Sequence, residues 1–327
     1  MSSSLKAPMS TLGLVAAAAI AWLGPAAAED YPARPVRLIV PFAAGGPADI
    51  YARYVGQYLS VALKQPFVVE DRPGAGSILG TATVAKAAAD GYTLLMMSNT
   101  HTTNESLIPD KPFALMRDFV AVASVNYSDL VMVVHPSVPA SNLKEFIALA
   151  KSKPGGLNYA SSGPGTPYHM AGELFKAMSG TDIVHVPYRG SSGARNDIIG
   201  GQVQMMFDAI TTMAPNALAG QVRALATTGP KRSLVLPEVP TVAEAGVPGY
   251  EATIWLGVMA PAGTPTPIVD KLNDEIARIL RRPDVMQAWA QQGAEPIAMS
   301  PSEFDAFLRS DIQKWANVVK ISGAKVD

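Results

Sequence analysis

Two segments of this sequence combine a strand-like run, a loop of small residues and a proline suited to the first turn of a helix. The first covers residues 36–50, with the loop FAAGGP at 42–47, and the second covers residues 157–170, with the loop SSGPGTP at 161–167. A strand that turns into a helix leaves N–H groups of the first helical turn unpaired, at the positive end of the helix dipole. Each segment therefore predicts an anion site, and the two together predict a cleft that grips an anionic ligand from both sides.

The hydroxyl side chains of the second loop are candidates for direct ligand contact. No G-x-S-x-G nucleophile motif occurs, and no general base can be assigned to a serine. We therefore interpret Ser161, Ser162 and Thr166 as hydrogen-bond donors to a carboxylate rather than as nucleophiles. Neither loop contains Arg or Lys, so the charge of the ligand has to be balanced by helix dipoles and neutral donors.

Three further polar residues stand close to these loops, and each has a structural alternative. His169 falls in the first turn after the second loop, where direct contact and a capping or packing role are both open. Asp208 follows an apolar strand-like run, so its side chain either emerges into a cleft or caps the next helix. Asp49 lies two residues after Pro47, where it offsets the helix dipole or ties the loop.

Other motifs give little support for a metal or cofactor. The four histidines have no metal-binding spacing, so we predict neither a metal nor a cofactor. The glycine run at 74–80 is similar to a dinucleotide fingerprint, but it does not follow the first strand, and the next strand does not end in an acidic residue. A tight turn into a helix is the favoured interpretation.

The composition excludes several classes of protein. The 327 residues include no cysteine and carry a formal net charge of −1, which excludes disulfides, thiolate catalysis and a lipid-anchored cysteine and gives no sign of nucleic-acid binding. Residues 1–28 combine Lys6, an apolar run at 12–23 and small residues at 25–28. This pattern predicts a secretory signal peptide cut after Ala28 and a soluble periplasmic protein.

Short apolar runs alternate with amphipathic stretches along the rest of the chain, which predicts an α/β fold. We expect one lobe from residues 29–125 plus 255–327 and a second from residues 126–254. Two crossings between lobes form a hinge that can close around a ligand.

Seven motifs, in order along the chain, are similar to those of Bug-type periplasmic solute receptors that serve tripartite tricarboxylate transporters. They lie at residues 41–49, 70–76, 89–95, 157–163, 185–188, 200–203 and 237–246. The resemblance implies a two-lobed type II periplasmic-binding fold, a small carboxylate bound between the lobes, and a membrane permease as partner. It places the ligand loops at 42–46 and 161–166 and the cleft aspartate at Asp208.

The motifs and the resemblance together predict a ligand site without catalytic residues, in a protein expected to be a monomer. The candidate ligand-binding residues are Phe42, Ala43, Ala44, Gly45, Gly46, Ser98, Thr100, His101, Ser161, Ser162, Gly163, Gly165, Thr166, His169, Tyr188 and Asp208.

The sequence departs from the commoner family pattern at Tyr51, at residues 126–129 and at residues 209–213, which are expected in the cleft wall. Side chains near the cleft (Tyr51, Tyr127, Tyr168 and Met213) would tolerate an aromatic or longer aliphatic diacid; the alternative is that they belong to the core, as such residues more often do. Two alternatives to uptake remain open: a receptor that signals to a membrane sensor kinase, and an enzyme that works in the same cleft.

Overall fold

The computed structural model describes Met1 and residues 31–325. The predicted signal peptide, Met1 apart, lies outside the described residues. The strands are β1 (Val36–Val40), β2 (Phe67–Asp71), β3 (Thr93–Ser98), β4 (Phe119–Val134), β5 (Asn158–Ser161), β6 (Val184–Pro187), β7 (Met205–Ala209), β8 (Arg223–Thr227), β9 (Thr253–Pro261) and β10 (Ala294–Pro296). The helices are α1 (Pro47–Leu63), α2 (Ile78–Ala85), α3 (Asn99–Leu107), α4 (Leu115–Asp118), α5 (Leu143–Ser152), α6 (Pro167–Ser179), α7 (Ser191–Ile199), α8 (Ile210–Leu218), α9 (Thr266–Leu280), α10 (Pro283–Ala290) and α11 (Pro301–Ser322).

The strands form two sheets that share β4. In the first sheet β1 pairs in parallel with β2 and β3, and β9 runs antiparallel between β3 and β4. In the second sheet β5 pairs in parallel with β6 and β7, while β7 and β8 pair antiparallel with β4. The parallel strands place their carboxyl ends, and the helices that follow them, towards the same edge of each sheet.

The chain passes between the sheets within β4 and just before β9. The register of β4 belongs to the first sheet up to Asp129 and to the second from Leu130. On the return, Ala252 N donates to Thr228 O of the second half, and Thr253 already pairs with Asp129. The polar run at 126–129 does not end the strand: a single strand of 16 residues continues through this expected lobe boundary.

Each sheet has its own buried side chains, and the last helix contacts both sets. Phe304 and Leu308 of α11 join the core of the first sheet, whereas Trp315 and Val318 of the same helix pack with the core of the second. Helix α11, expected in the first lobe, therefore packs against both halves of the molecule. The C-terminal helix links the two halves in addition to β4 and β9.

Four elements differ from the sequence-based expectation. The sequence predicts a helix over residues 242–245, which form turns, whereas α3, α4 and β10 were not predicted. Helix α3 begins Asn-Thr-His-Thr-Thr-Asn, a run of weak helix formers, and it is buried along most of its length. Tertiary burial and a capping box at Ser98 stabilise this helix despite its low propensity.

Candidate functional site

A narrow pocket, with about 30 Å³ of water-accessible space, lies between the two halves of the molecule, where four helices begin. Its walls come from the first residues of α1, α3, α6 and α7 or the residues immediately before them, together with two apolar side chains of β9. The lining residues are Phe42, Ala43, Gly46, Pro47, Ala48, Ser98, Ser162, Thr166, Pro167, Tyr168, Gly190, Ser191, Ile254 and Leu256.

The first loop presents the start of α1 to this pocket. The first hydrogen bond of the helix runs from Ile50 N to Gly46 O at 3.1 Å, so the N–H groups of Ala48 and Asp49 stand outside the helical ladder. The Asp49 carboxylate accepts a hydrogen bond from Gly45 N at 2.8 Å. This bond ties the loop to its own helix, which is the second of the two roles predicted for Asp49.

The second loop is fastened by hydroxyl groups. Thr166 caps α6 through its side chain, and its Oγ1 also lies 2.6 Å from Gly163 O, to which it donates. Ser161 Oγ lies 2.6 Å from His185 Nε2 and 3.0 Å from Gly163 N. Ser161 and Thr166 hydroxyls are therefore committed within the loop, whereas Ser162 lines the pocket beside the start of α6.

Helix α7 supplies a third helix start, which the sequence analysis missed. Gly190 and Ser191 line the pocket, and Ser192 Oγ donates across to Ala44 O of the first loop at 3.0 Å. A Cβ on Gly190 would lie only 2.5 Å from the Cβ of Ala43, so glycine permits this close approach. The sequence does contain a local signal for this helix start, because residues 187–193 read Pro-Tyr-Arg-Gly-Ser-Ser-Gly.

None of the pocket-lining residues within the described range 31–325 is charged. Positive potential must come from the helix starts, whose N–H groups and dipoles converge on one small volume. Asp208 does not contact this volume: it is fully buried, and its Oδ2 accepts a hydrogen bond from Arg195 Nε at 2.8 Å. Burial raises the pKa of the Asp208 carboxyl, and the adjacent Arg195 guanidinium opposes that rise.

Two buried histidines support the walls from behind. His101 Nδ1 accepts from Ser98 N at 3.2 Å, while Nε2 lies 2.9 Å from Thr81 Oγ1. His169 Nδ1 accepts from Gly165 N at 3.1 Å. Burial lowers the pKa of each imidazole to about 4, so both are neutral acceptors at neutral pH. Their positions favour a role in holding the backbone over direct ligand contact.

The predicted ligand-binding residues divide into two groups. Those on the pocket wall are Phe42, Ala43, Gly46, Ser98, Ser162 and Thr166. Those beside or behind it are Ala44, Gly45, Thr100, His101, Ser161, Gly163, Gly165, His169, Tyr188 and Asp208. Gly163 and Tyr188 line an adjoining cavity instead.

The predicted aromatic cleft wall is largely absent. Tyr168 lines the pocket, but Tyr51 is buried on the core side of α1, with its ring 4.8 Å from that of Trp289. Tyr127 bonds Glu295 on another face, and Met213 is part of the core of the second sheet. Sequence position alone could not show which way these side chains point.

The arrangement belongs to the class of two-lobed α/β binding proteins, with a ligand pocket between lobes joined by crossing strands. Among the described residues, neither a helix able to span a membrane nor a group of three potential metal-ligating side chains is present.

Comparison with known proteins defines the class further. Residues 51–324 match the family model described as the tripartite tricarboxylate transporter family receptor. The chain belongs to this family, whose members are periplasmic receptors. It is 40% identical over 314 residues to protein BugT of Bordetella pertussis, covering 95% of this chain and 96% of BugT.

Two solved structures with named ligands have the same fold. Rhodopseudomonas palustris Rpa4515 with adipate superimposes with a TM-score of 0.88 at 36% identity, covering 91% of this chain and all of the other. MatC from Rhodopseudomonas palustris with bound malate gives a TM-score of 0.84 at 33% identity, covering 88% and 100%.

Proposed function

We propose that this protein is a periplasmic receptor that captures a small organic acid, through a carboxylate, and delivers it to a tripartite tricarboxylate permease. The observation that carries the proposal is the convergence of four helix starts on a pocket without charged side chains. Backbone N–H groups and helix dipoles suit the single negative charge of a carboxylate. The adipate and malate complexes of the two related structures support the same ligand class.

The remainder of the pocket favours a hydrocarbon body next to the carboxylate. Phe42, Ile254 and Leu256 supply apolar walls, and Pro47 and Pro167 add further carbon surface. Burial of apolar surface contributes about 25 cal/mol per Å² to binding or folding. An organic acid with an aliphatic or aromatic body next to the bound carboxylate therefore fits better than a sugar, whose hydroxyls would lack partners.

We further propose that the two lobes close on the ligand, with the change of conformation near Asp129 and Ala252. The hydrogen bond from Ser192 to Ala44 and the contact of Gly190 with Ala43 join the two halves across the pocket. A ligand held from both sides favours the closed form only by binding it more tightly than the open one. Small-angle scattering should show a smaller radius of gyration at saturating ligand.

The geometry gives less support to an enzyme. Ser161 and His185 are within hydrogen-bond distance, which is a feature of serine hydrolases. However, Ser161 is fully buried and its hydroxyl also donates to Gly163 O, so it cannot reach a substrate without rearrangement.

A thermal-shift panel tests the ligand class. The panel should hold aliphatic and aromatic carboxylates, their amides, and sugar phosphates at equal concentrations. A ligand at about 100 times its dissociation constant stabilises the native state by roughly 2.7 kcal/mol. We expect carboxylates alone to raise the melting temperature; stabilisation by sugar phosphates or amides instead would contradict the proposal.

Delivery to a permease can be separated from sensing by a transport experiment. Cells that lack this receptor should lose uptake of the labelled acid identified by the panel, and a plasmid copy should restore it. If uptake is unchanged while the transcriptional response to the acid disappears, the protein is a sensory receptor.

A further inference from the structure

A second cavity, which we call the outer chamber, adjoins the pocket. It has about 420 Å³ of water-accessible space and shares Phe42, Ser162 and Thr166 with the pocket wall. A ligand fixed at the helix starts can therefore extend past these shared residues into the chamber. The remaining lining residues are Pro41, Pro73, Gly74, Ala75, Gly76, Ser77, Ile108, Gly163, Pro164, Pro187, Tyr188 and Arg189.

The outer chamber differs from the pocket in carrying a charge. Arg189 is exposed and is the charged member of the chamber lining. No carboxylate in residues 31–325 lies within ion-pair distance of its guanidinium, whereas Arg195, on the following helix, is paired with Asp208. Arg189 also immediately precedes Gly190, which lines the pocket, so its backbone stands at the boundary of the two cavities.

The rest of the chamber provides an apolar passage and an unpartnered hydroxyl group. Pro41, Pro73, Ile108 and Pro164 supply carbon surface from both halves of the molecule. Ser77, whose residue is 3% exposed, has a hydroxyl with no hydrogen-bond partner among the described residues. A buried hydroxyl of this kind costs free energy unless a ligand or water pairs with it.

We propose that Arg189 is a specificity-determining residue that binds the second anionic group of a dianionic ligand. This inference rests on the proposed function and extends it: the first carboxylate lies at the helix starts, the body crosses the apolar passage, and the far anionic group meets the guanidinium. Arg recognises a carboxylate through two parallel N–H donors, so the second group is most favourably another carboxylate. Within the ligand class already supported by the adipate and malate complexes, Arg189 selects a diacid whose spacer is long enough to leave the pocket.

The test compares matched acids that differ in the far group. Calorimetry should be run with adipate against hexanoate, suberate against octanoate, and terephthalate against 4-methylbenzoate. In the natural protein at least one diacid should bind about tenfold more tightly than its matched monoacid. In Arg189→Gln this preference should fall to about twofold or less, with monoacid affinity unchanged, and Arg189→Lys should retain part of it.

Arg281→Gln is the matched control. Arg281 is exposed at the end of α9, and its guanidinium forms no ion pair within residues 31–325. This variant should keep the diacid preference of the natural protein. The preference for the diacid should also weaken as salt concentration rises, and this dependence should be smaller in Arg189→Gln.

The outcomes separate the two proposals. If the natural protein binds monoacids and diacids equally, or if Arg189→Gln keeps the preference, the assignment of Arg189 is wrong while the carboxylate receptor stands. If neither monoacids nor diacids bind, the proposed function fails, and the inference fails with it.

Discussion

The two loops that meet at the pocket share a sequence plan but are held in place by different side chains. In the first loop a carboxylate holds the backbone: Asp49 accepts a hydrogen bond from Gly45 N and is also paired with Arg53 on the next turn. In the second loop neutral groups hold the backbone, since Thr166 caps its own helix and His169 accepts a hydrogen bond from Gly165 N. Both loops therefore leave N–H groups free at a helix start, whereas the side chains that stabilise the loop differ between them.

The largest loss of ligand affinity is expected from a substitution that fills the pocket on the side of the first loop. In Gly46→Leu the new side chain would occupy the helix start, and its Cβ alone would stand 3.2 Å from Ser191 Oγ. We expect binding to weaken more than 100-fold. The backbone of Gly46 has φ −87°, which any residue adopts, so the melting temperature should change little. Affinity by calorimetry close to that of the natural protein would show that this loop does not hold the ligand.

A pH experiment compares the histidines that support the two sides of the pocket. His101 and His169 have native pKa values lowered by burial to about 4, against about 6.5 in the unfolded chain. The stability they contribute is complete above pH 6.5 and is lost as pH falls from there towards 4, because the unfolded chain binds their protons first.

When the protein unfolds near pH 5, each of these histidines should bind about one additional proton. Denaturant unfolding between pH 7 and 4.5 measures this uptake as the slope of unfolding free energy against pH. Asp129, whose pKa burial raises to about 6, acts in the opposite direction, so variants must be compared with the natural protein. His101→Asn and His169→Asn should each reduce the slope by about one proton; an unaltered slope would mean that the residue is protonated in the native state.

A smaller loss of ligand affinity is expected from a substitution at the contact between the two halves. Gly190→Ala places a Cβ 2.5 Å from that of Ala43, which obstructs closure. We expect about tenfold weaker binding and a smaller change in radius of gyration when ligand is added. Gly200→Ala is the matched control at the other end of α7, where φ is −77° and the added Cβ would be 3.3 Å from the nearest backbone oxygen. Equal affinity in the two variants would rule out closure through this contact.

The smallest loss of ligand affinity should follow from removing hydrogen bonds of the second loop without filling the pocket. Thr166→Val keeps the shape but removes the cap and the hydrogen bond to Gly163 O. Loss of an N-cap costs about 1 kcal/mol. Thermal unfolding should show that loss, with affinity reduced only a few-fold. A much larger fall in affinity with little loss of stability would show that the hydroxyl binds the ligand directly.

The sequence predicted the parts of the site that follow from local pattern. The strand, loop and helix around residues 36–50 and 157–170 depend on short-range signals such as Pro47 and Pro167, and both are present. The α/β fold of the receptor family was likewise predicted and is confirmed by the family match and the related structures.

The parts that were missed depend on tertiary contacts. Helix α3 forms from weak helix formers because it is buried, and the direction of Tyr51 is fixed by packing on Trp289. The start of α7 had a local signal in its Gly and Ser residues, but its place opposite the first loop follows only from the pairing of the two halves. The cation beside the pocket, Arg189, was missed for the same reason.

One measurement tests the central claim, that an uncharged pocket binds a carboxylate through helix starts. Calorimetric titration should compare hexanoate with hexanamide, which has nearly the same shape and no charge. We predict that the acid binds at least tenfold more tightly than the amide and that Gly46→Leu abolishes binding of the acid. An amide that binds as tightly as the acid would contradict the account.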